Sequence, residues 1–471
     1  MYRLEGPTNN DPSNKNVFTV GFTIKGDCTQ LPFVVLTGTD PNRSTLSEKI
    51  LNHFERREIS LNISNIDYTK SALFFKVTQD LLQQGYSSWE IRVAGTMVHT
   101  REKFSTRPTS SDTSTKLFII ADMDSTTTAD PTWKMLDQIG PADYDMILHI
   151  GDFAYEIFDQ GGQFGDQYFA RSSKSARRIP YIMTPGNHEN YANGTLLNYR
   201  FKMPNCADNL NAMFDFVYKG TYFMFVNLDW VLSYQPWKNI EYFSRERKLL
   251  EWIDSRSKLF ANRKDIKWRI FSTHRPFECT DQTASDCQTN MLFFRRIADK
   301  VAQVGFHMSL NAHVHSYIRN KVSLGLQMQP VTKLGKGAYM TVINGHAGTA
   351  YYYQTETNKN SLTSPLAEAI DVSGPTFLHL ELSSTAIVGK LTRSDNSEVR
   401  DTFSITEDQL DPKQPEPASS STVFVIVIAC GLGIAAIWFA IWFNLQRANS
   451  SPHKGYSSPE DDDLLNSRTS I

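Results

Sequence analysis

The stretch "MSLNAHVHSYI", residues 308–318, ends an apolar run on two histidines one residue apart. In a strand, residues i and i+2 face the same side, so His313 and His315 are expected to reach toward one object. Such a pair at a strand edge is more often packed or solvated than metal-bound, and its surroundings decide the matter. The same pattern recurs upstream. "KLFIIA" (116–121) runs into Asp122, and "MILHI" (146–150) into Gly151-Asp152. "IPYIMT" (179–184) runs into "PGNHE" (185–189), and "WRIFST" (268–273) into His274. In layered α/β folds, ligands gather beyond the carboxyl ends of strands. If these strands share a sheet, Asp122, Asp152, Tyr155, Asn187, His274, His313 and His315 converge.

Between the apolar runs lie helix-like stretches such as "WKMLDQI", "RERKLLEWIDSRSKLF" and "MLFFRRIADKVAQV". This alternation predicts an α+β or layered α/β domain over 116–408. Residues 1–107 read differently, as short β-like runs ("VFTVGFTI", "PFVVLTG", "ALFFKV", "WEIRVAG") between turns, which predicts a small β-sandwich. A polar linker, 108–115, joins the two.

Carboxylate, amide and imidazole donors together suit first-row transition metals better than calcium, which prefers oxygen alone. The convergent set exceeds the needs of one four-coordinate zinc, whereas two ions about 3.5–4 Å apart, bridged by a carboxylate, would use it all. Asp and Asn routinely cap helices and turns, so no single member is diagnostic; the joint occurrence is.

Taken in order, "ADMDS", "GDFAYE", "PGNHEN", "STHRP" and "AHVHSY" resemble the five blocks of the purple acid phosphatases, binuclear metallophosphoesterases, and especially their animal-type iron/zinc branch. The resemblance runs from about Lys116 to Gly348. It implies a fibronectin-III-like N-terminal β-sandwich, followed by a metallophosphoesterase β-sandwich flanked by helices. It further implies that Asp122, Asp152, Tyr155 and His315 hold a ferric ion. Asp152, Asn187, His274 and His313 would hold a divalent zinc, iron or manganese ion, with Asp152 bridging. Only a strongly Lewis-acidic centre keeps a tyrosine as phenolate, and phenolate-to-iron charge transfer would colour the protein. The implied reaction is in-line attack of metal-bound hydroxide on a phosphate monoester at acidic pH, with the cations neutralising developing charge. His188 is the candidate catalytic residue, contacting phosphate or protonating the leaving group, and Glu189 orients a neighbour.

The sequence also departs from the family pattern. Thr283 and Ala284 stand where relatives carry further histidines, and Asp124 replaces a usual glycine; it is either an added ligand or a helix-capping carboxylate. His149, inside an apolar strand, is expected to be a core residue, and His346 in "VINGHAGT" ends another strand near the site. Two other functions stay open, namely hydrolysis of diesters or pyrophosphates on the same site, and a non-catalytic membrane binding protein.

The rest of the chain bears on location. A net charge of −2 over 471 residues gives no electrostatic reason to expect nucleic acid as a partner. Val423–Phe443 is uncharged and, at about 1.5 Å per residue, long enough for a single transmembrane helix. A Pro/Ser-rich stalk, 409–422, precedes it and a polar tail, 444–471, follows. "SPEDDDLLNSRTSI" resembles acidic dileucine signals read by sorting adaptors, which points to an endosomal or lysosomal membrane or the cell surface. "MYRLEGPTNNDPSN" lacks the apolar core of a signal peptide, so either the chain begins further upstream or its bulk is cytosolic. The possible disulfide of Cys279 with Cys287, and sequons at Asn42, Asn62 and Asn193, favour a lumenal or extracellular catalytic domain.

Overall fold

The structure is a computed structural model. It describes residues 18–25, 33–39, 46–51, 53–77, 86–93, 96–103, 114–189, 194–206, 211–232, 240–260, 263–277, 285–324, 330–334, 337–349 and 366–410. The expected transmembrane helix and tail, the Cys279–Cys287 pairing, the sequons at Asn42 and Asn193, and Thr283 and Ala284 lie outside the described residues. Among those described, no helix is long and apolar enough to cross a membrane.

The N-terminal strands are β1 (Phe18–Lys25), β2 (Phe33–Thr39), β3 (Leu46–Leu51), β4 (Phe54–Ile63), β5 (Ile66–Val77), β6 (Tyr86–Val93) and β7 (Thr96–Lys103). They form a three-stranded sheet, β1-β5-β4, and a four-stranded one, β3-β2-β6-β7. Alternate residues build the core between them: Val20, Val34, Leu36, Leu73, Phe75, Trp89 and Ile91 are all buried together. The intervening positions of β4 and β5, Ile59, Ile63, Tyr68 and Phe74, join the core of the following domain instead.

That domain begins with β8 (Thr115–Ile120), β9 (Met146–Ile150) and β10 (Tyr181–Thr184), which are parallel neighbours. Helices α1 (Asp130–Gln138) and α2 (Gln163–Ala176) supply the crossovers. A second parallel set, β12 (Thr221–Val226), β13 (Trp268–Ser272), β14 (Met308–Asn311) and β17 (Ala338–Asn344), is extended by antiparallel β11 (Met213–Tyr218), β15 (Tyr317–Asn320) and β18 (Ala367–Asp371). The short β16 (Ser323–Leu324) pairs with β17. The first sheet continues through antiparallel β19 (Thr376–Leu382), β20 (Ala386–Arg393) and β21 (Val399–Thr406) in the order β10-β9-β8-β19-β20-β21.

Strand alternation explains how the sheets stack. In β12, Phe223 and Phe225 face the core shared with the first sheet, whereas Tyr222, Met224 and Val226 face a second cluster. That second cluster is covered by α3 (Ile240–Phe260) and α4 (Ser285–Val304) through Leu249, Ile253, Ile297 and Val301. From Leu117 to Ile120, strand β8 is buried on both faces and reads as an apolar run. The layered α/β expectation is met: two sheets face each other, with helices flanking them.

Several contacts hold the N-terminal sandwich to this domain. Gly161 and Gly162 have φ of +66° and +86°, and a Cβ on either would lie 2.7 Å from Ile66 or Tyr68. Tyr68 Oη bonds Asp166 and Tyr199 at 2.7 Å each, and the buried Arg200 guanidinium reaches Asp166 at 2.5 Å. Arg57 donates to the carbonyls of Asn198 (3.1 Å) and Phe201 (2.9 Å), so the sandwich grips the segment downstream of "GNHE".

Candidate metal centre

The parallel strands of both sheets end at one place. Asp122 follows β8, Gly151-Asp152 follows β9, Asn187 follows β10, His274 follows β13, and His313 and His315 follow β14. The reading of "AHVHSY" as a strand is corrected here. β14 stops at Asn311 and β15 starts at Tyr317, so both histidines lie in the intervening loop, and His313 has φ +70°. Left-handed backbone also occurs at Asp122 (+52°), Asp152 (+53°), Ala154 (+67°) and Tyr155 (+39°). Such conformations persist where surrounding structure enforces them, and they cluster at functional sites. They turn the chain sharply enough for donors from separate loops to meet.

Two groups of donor atoms result, each with its atoms within 4.8 Å of one another: Asp152, His274 and His313, and Asp122, Asp152 and His315. Asp152 belongs to both. Tyr155 Oη donates to Asp122 Oδ1 at 2.9 Å and lies 3.0 Å from His315 Nε2, which is itself 3.3 Å from Asp122 Oδ1. On the other side, His274 Nε2 lies 3.1 Å from Asp152 Oδ2. Its Nδ1 donates to the carbonyl of Ile150 at 2.8 Å, which leaves Nε2 as the inward-facing nitrogen. Asn187 Oδ1 is shut off from solvent without a hydrogen-bond partner. A buried orphan acceptor, next in sequence to the His188 N–H that bonds Asp152, fits a cation ligand set.

Supporting groups fix these donors. Glu189 is fully buried. It accepts from the backbone N–H of Asp152 (2.9 Å), Gly186 (2.8 Å) and Phe153 (2.8 Å). His188 N–H donates to Asp152 Oδ1 at 3.0 Å. The His188 ring bonds Glu156 through Nδ1, and its Nε2 lies 3.8 Å from Asp152 Oδ2. There is no room for side chains between these loops. A Cβ on Gly186 would lie 2.1 Å from Asp152 Oδ1, and one on Gly345 would lie 2.2 Å from the carbonyl of Val314.

The electrostatics are those of an anionic pocket. Burial opposes charge on His274, but Asp152 and Asp122 outweigh it and raise its pKa to about 10. Burial likewise disfavours a charged His188, yet Glu156 and Asp152 raise it to about 9. Asp152 stays ionised, because His274, His188 and His313 overcome its burial and hold it well below the usual carboxylate range. Burial, then Asp122 and Asp152, push the Tyr155 phenol well above its ordinary value. Without added positive charge that phenol remains a neutral donor to Asp122.

Five of the expected ligands, Asp122, Asp152, His274, His313 and His315, form the two donor groups; Tyr155 bonds two of them, His188 borders Asp152, and Asn187 lies in the loop between β10 and His188. Asp124 belongs to neither donor group and caps neither following helix: its Oδ1 accepts from Thr126 N (2.7 Å) and Thr126 Oγ1 (2.6 Å), closing a local turn ahead of them. His149 is a core residue, 1% exposed, with Nδ1 2.5 Å from Tyr181 Oη. His346 is buried and bonds the carbonyl of Gly374 through Nδ1. Glu156 and Arg275 escaped the sequence reading; each sits next to an expected ligand, in "AYE" and "THR", and adjacency was the available signal.

Residues 115–317 match the model of the calcineurin-like phosphoesterase family. Acid phosphatase type 7 of Danio rerio is 28% identical over 45% of this chain and 50% of its own length. The human protein of the same name is 26% identical over 37% of this chain and 41% of its own. Residues 115–317 are a calcineurin-like phosphoesterase domain. It spans about half the length, or less, of these curated relatives. Purple acid phosphatase PPD1 from yellow lupin seeds superposes with a TM-score of 0.63 at 16% identity, covering 88% of this chain and 77% of its own. PhoD superposes at 0.57 with 8% identity, covering 90% and 95%. These two similarities bear on the fold alone. The donor groups sharing Asp152 make this a candidate binuclear metal centre of the phosphoesterase kind.

Proposed function

We propose that the protein is an acid phosphatase that hydrolyses phosphate monoesters. The observation that carries this is Asp152 standing in both donor groups, within a fold and family of phosphoesterases. Asp122, Asp152, Tyr155 and His315 are assigned to a ferric ion. Asp152, Asn187, His274 and His313 are assigned to a divalent zinc, iron or manganese ion. The oxygen-rich first set suits the harder trivalent ion, and the amide and imidazole donors of the second suit a divalent one. When bound, such a pair supplies Lewis acidity toward the phosphoryl group and acidifies bound water.

The chain's own groups do the rest. His188 is held by Glu156 with its Nε2 turned toward Asp152, in place to donate a hydrogen bond or a proton to a phosphate ester oxygen. Glu189 fixes the backbone of both Asp152 and Gly186, and so the spacing between the β9 and β10 loops. The pocket's negative charge favours cations before it favours substrate, so an anionic ester is expected to bind only after the centre is loaded.

The test is a p-nitrophenyl phosphate assay at about pH 5 alongside metal quantification on the same preparation. Turnover with no iron, zinc or manganese bound would refute this reading. We also place the catalytic domain on the lumenal or extracellular side of a membrane crossed by 423–443. In support, Asn62 of one sequon is exposed on β4. Glycosidase treatment of the cell-derived protein should lower its mass, and an unchanged mass would contradict this placement.

A further inference from the structure

The ligand assignment leaves one cation at the centre unexplained. Arg275 directly follows His274, and its Nη1 donates to His313 Nε2 at 2.9 Å. Its Nε donates to Asp229 Oδ1 at 2.5 Å. Asp229, at the first turn of the helix Leu228–Leu232, is 4% exposed. A buried carboxylate on one side and a candidate metal ligand on the other hold this guanidinium at the divalent half of the centre.

An imidazole nitrogen has a single lone pair, so His313 Nε2 accepts an N–H or binds a cation, not both. Filling the divalent position through that nitrogen must therefore move the Arg275 fork away, and the bond to Asp229 offers a pivot that survives the move. The released N–H groups then lie beside the cations, where an ester's phosphoryl oxygens must come. A guanidinium never loses its charge and matches phosphate with two parallel N–H donors.

We propose that Arg275 is the phosphate-contacting residue of this site, released from His313 when the divalent position fills and turned on Asp229 toward a phosphoryl oxygen. This rests on the phosphatase reading above. Two consequences follow from the same geometry. Without phosphate, Arg275 opposes divalent cation binding, through its bond to His313 and by charge repulsion. With phosphate present, it links anion and cation, so each tightens the other's binding.

The experiment uses the full chain stripped of metal by chelation, as wild type, Arg275→Lys and the double variant Arg275→Gln/Asp229→Asn. The double variant avoids leaving a buried, unpaired Asp229 carboxylate. Zinc affinity is measured with and without inorganic phosphate, and phosphate inhibition is measured on the metal-loaded proteins. Wild-type zinc binding should tighten on adding phosphate. The double variant should bind zinc more tightly than wild type without phosphate, and gain less when phosphate is added. Its phosphate affinity at full metal load should fall about ten- to hundredfold, the scale of a lost charge-assisted pair. For p-nitrophenyl phosphate the loss should appear chiefly in KM, with Arg275→Lys intermediate. Wild-type phosphate affinity in the fully loaded double variant would overturn the role of Arg275 and leave the phosphatase reading standing. A wild type that binds neither zinc nor phosphate would overturn both.

Discussion

Glu189 offers the sharpest test of how the centre is built. Its carboxylate accepts three backbone N–H groups, from Asp152 (2.9 Å), Gly186 (2.8 Å) and Phe153 (2.8 Å), in a fully buried position. Glu189→Ala strands all three, and a buried amide left unpaired costs about 1–3 kcal/mol. Even the low end, about 3 kcal/mol together, is a large share of the ~5–15 kcal/mol that a domain has. Glu189→Gln is gentler. Its carbonyl oxygen can serve Asp152 and Gly186, while its NH2 group replaces the oxygen that Phe153 N–H used. The expected loss is about 2 kcal/mol, or roughly 3 °C in melting temperature for a domain of this size. Because the displaced amide adjoins Asp152, metal content should fall in the same variant. Thermal denaturation and metal quantification on the two variants and wild type would measure both effects. If Glu189→Gln melted with wild type and kept its full metal load, Glu189 would not be what holds Asp152 in place.

Other expectations concern single residues. Burial lowers the pKa of His149 to about 3 from an ordinary 6.5, so the unfolded chain takes up a proton in this interval and the folded chain does not. Stability should therefore fall as pH drops from 6.5 toward 3, by up to about 5 kcal/mol from this residue. His149→Phe in a Tyr181→Phe background should flatten that limb of the denaturation profile, and an unaltered slope would contradict the assignment. Gly186→Ala places a Cβ 2.1 Å from Asp152 Oδ1 and should abolish metal retention, as seen by elemental analysis. Tyr155→Phe should remove the visible absorbance of the iron-loaded protein while iron remains bound; a surviving band would place another chromophore there.

Much of the centre was legible because its chemistry repeats. Each apolar run ends on a residue that can bind a cation, and parallel strands deliver such ends to one edge. The local geometry was not legible in the same way. His313 and His315 share a target, but through a loop with left-handed backbone rather than through strand alternation. Nothing in "NAHVHS" announces φ +70° at a histidine, since it is imposed by neighbouring loops. Asp124 was ambiguous because a carboxylate before a run of threonines suits a cap as well as a ligand; its bonds to Thr126 make a local turn instead. The pairing of β19 beside β8 and the grip of Arg57 on residues 198 and 201 are long-range, so no short motif encodes them. Arg275 was passed over for a related reason: its partner Asp229 comes from a distant segment.

The most direct measurement is the number of metal ions per chain in the wild type, Asp152→Ala and Asn187→Ala, taken together with the visible spectrum. Two ions are expected in the wild type, neither in Asp152→Ala, and a single, still coloured ferric ion in Asn187→Ala. An Asp152→Ala protein that kept one ion at full occupancy would contradict a centre joined through that aspartate.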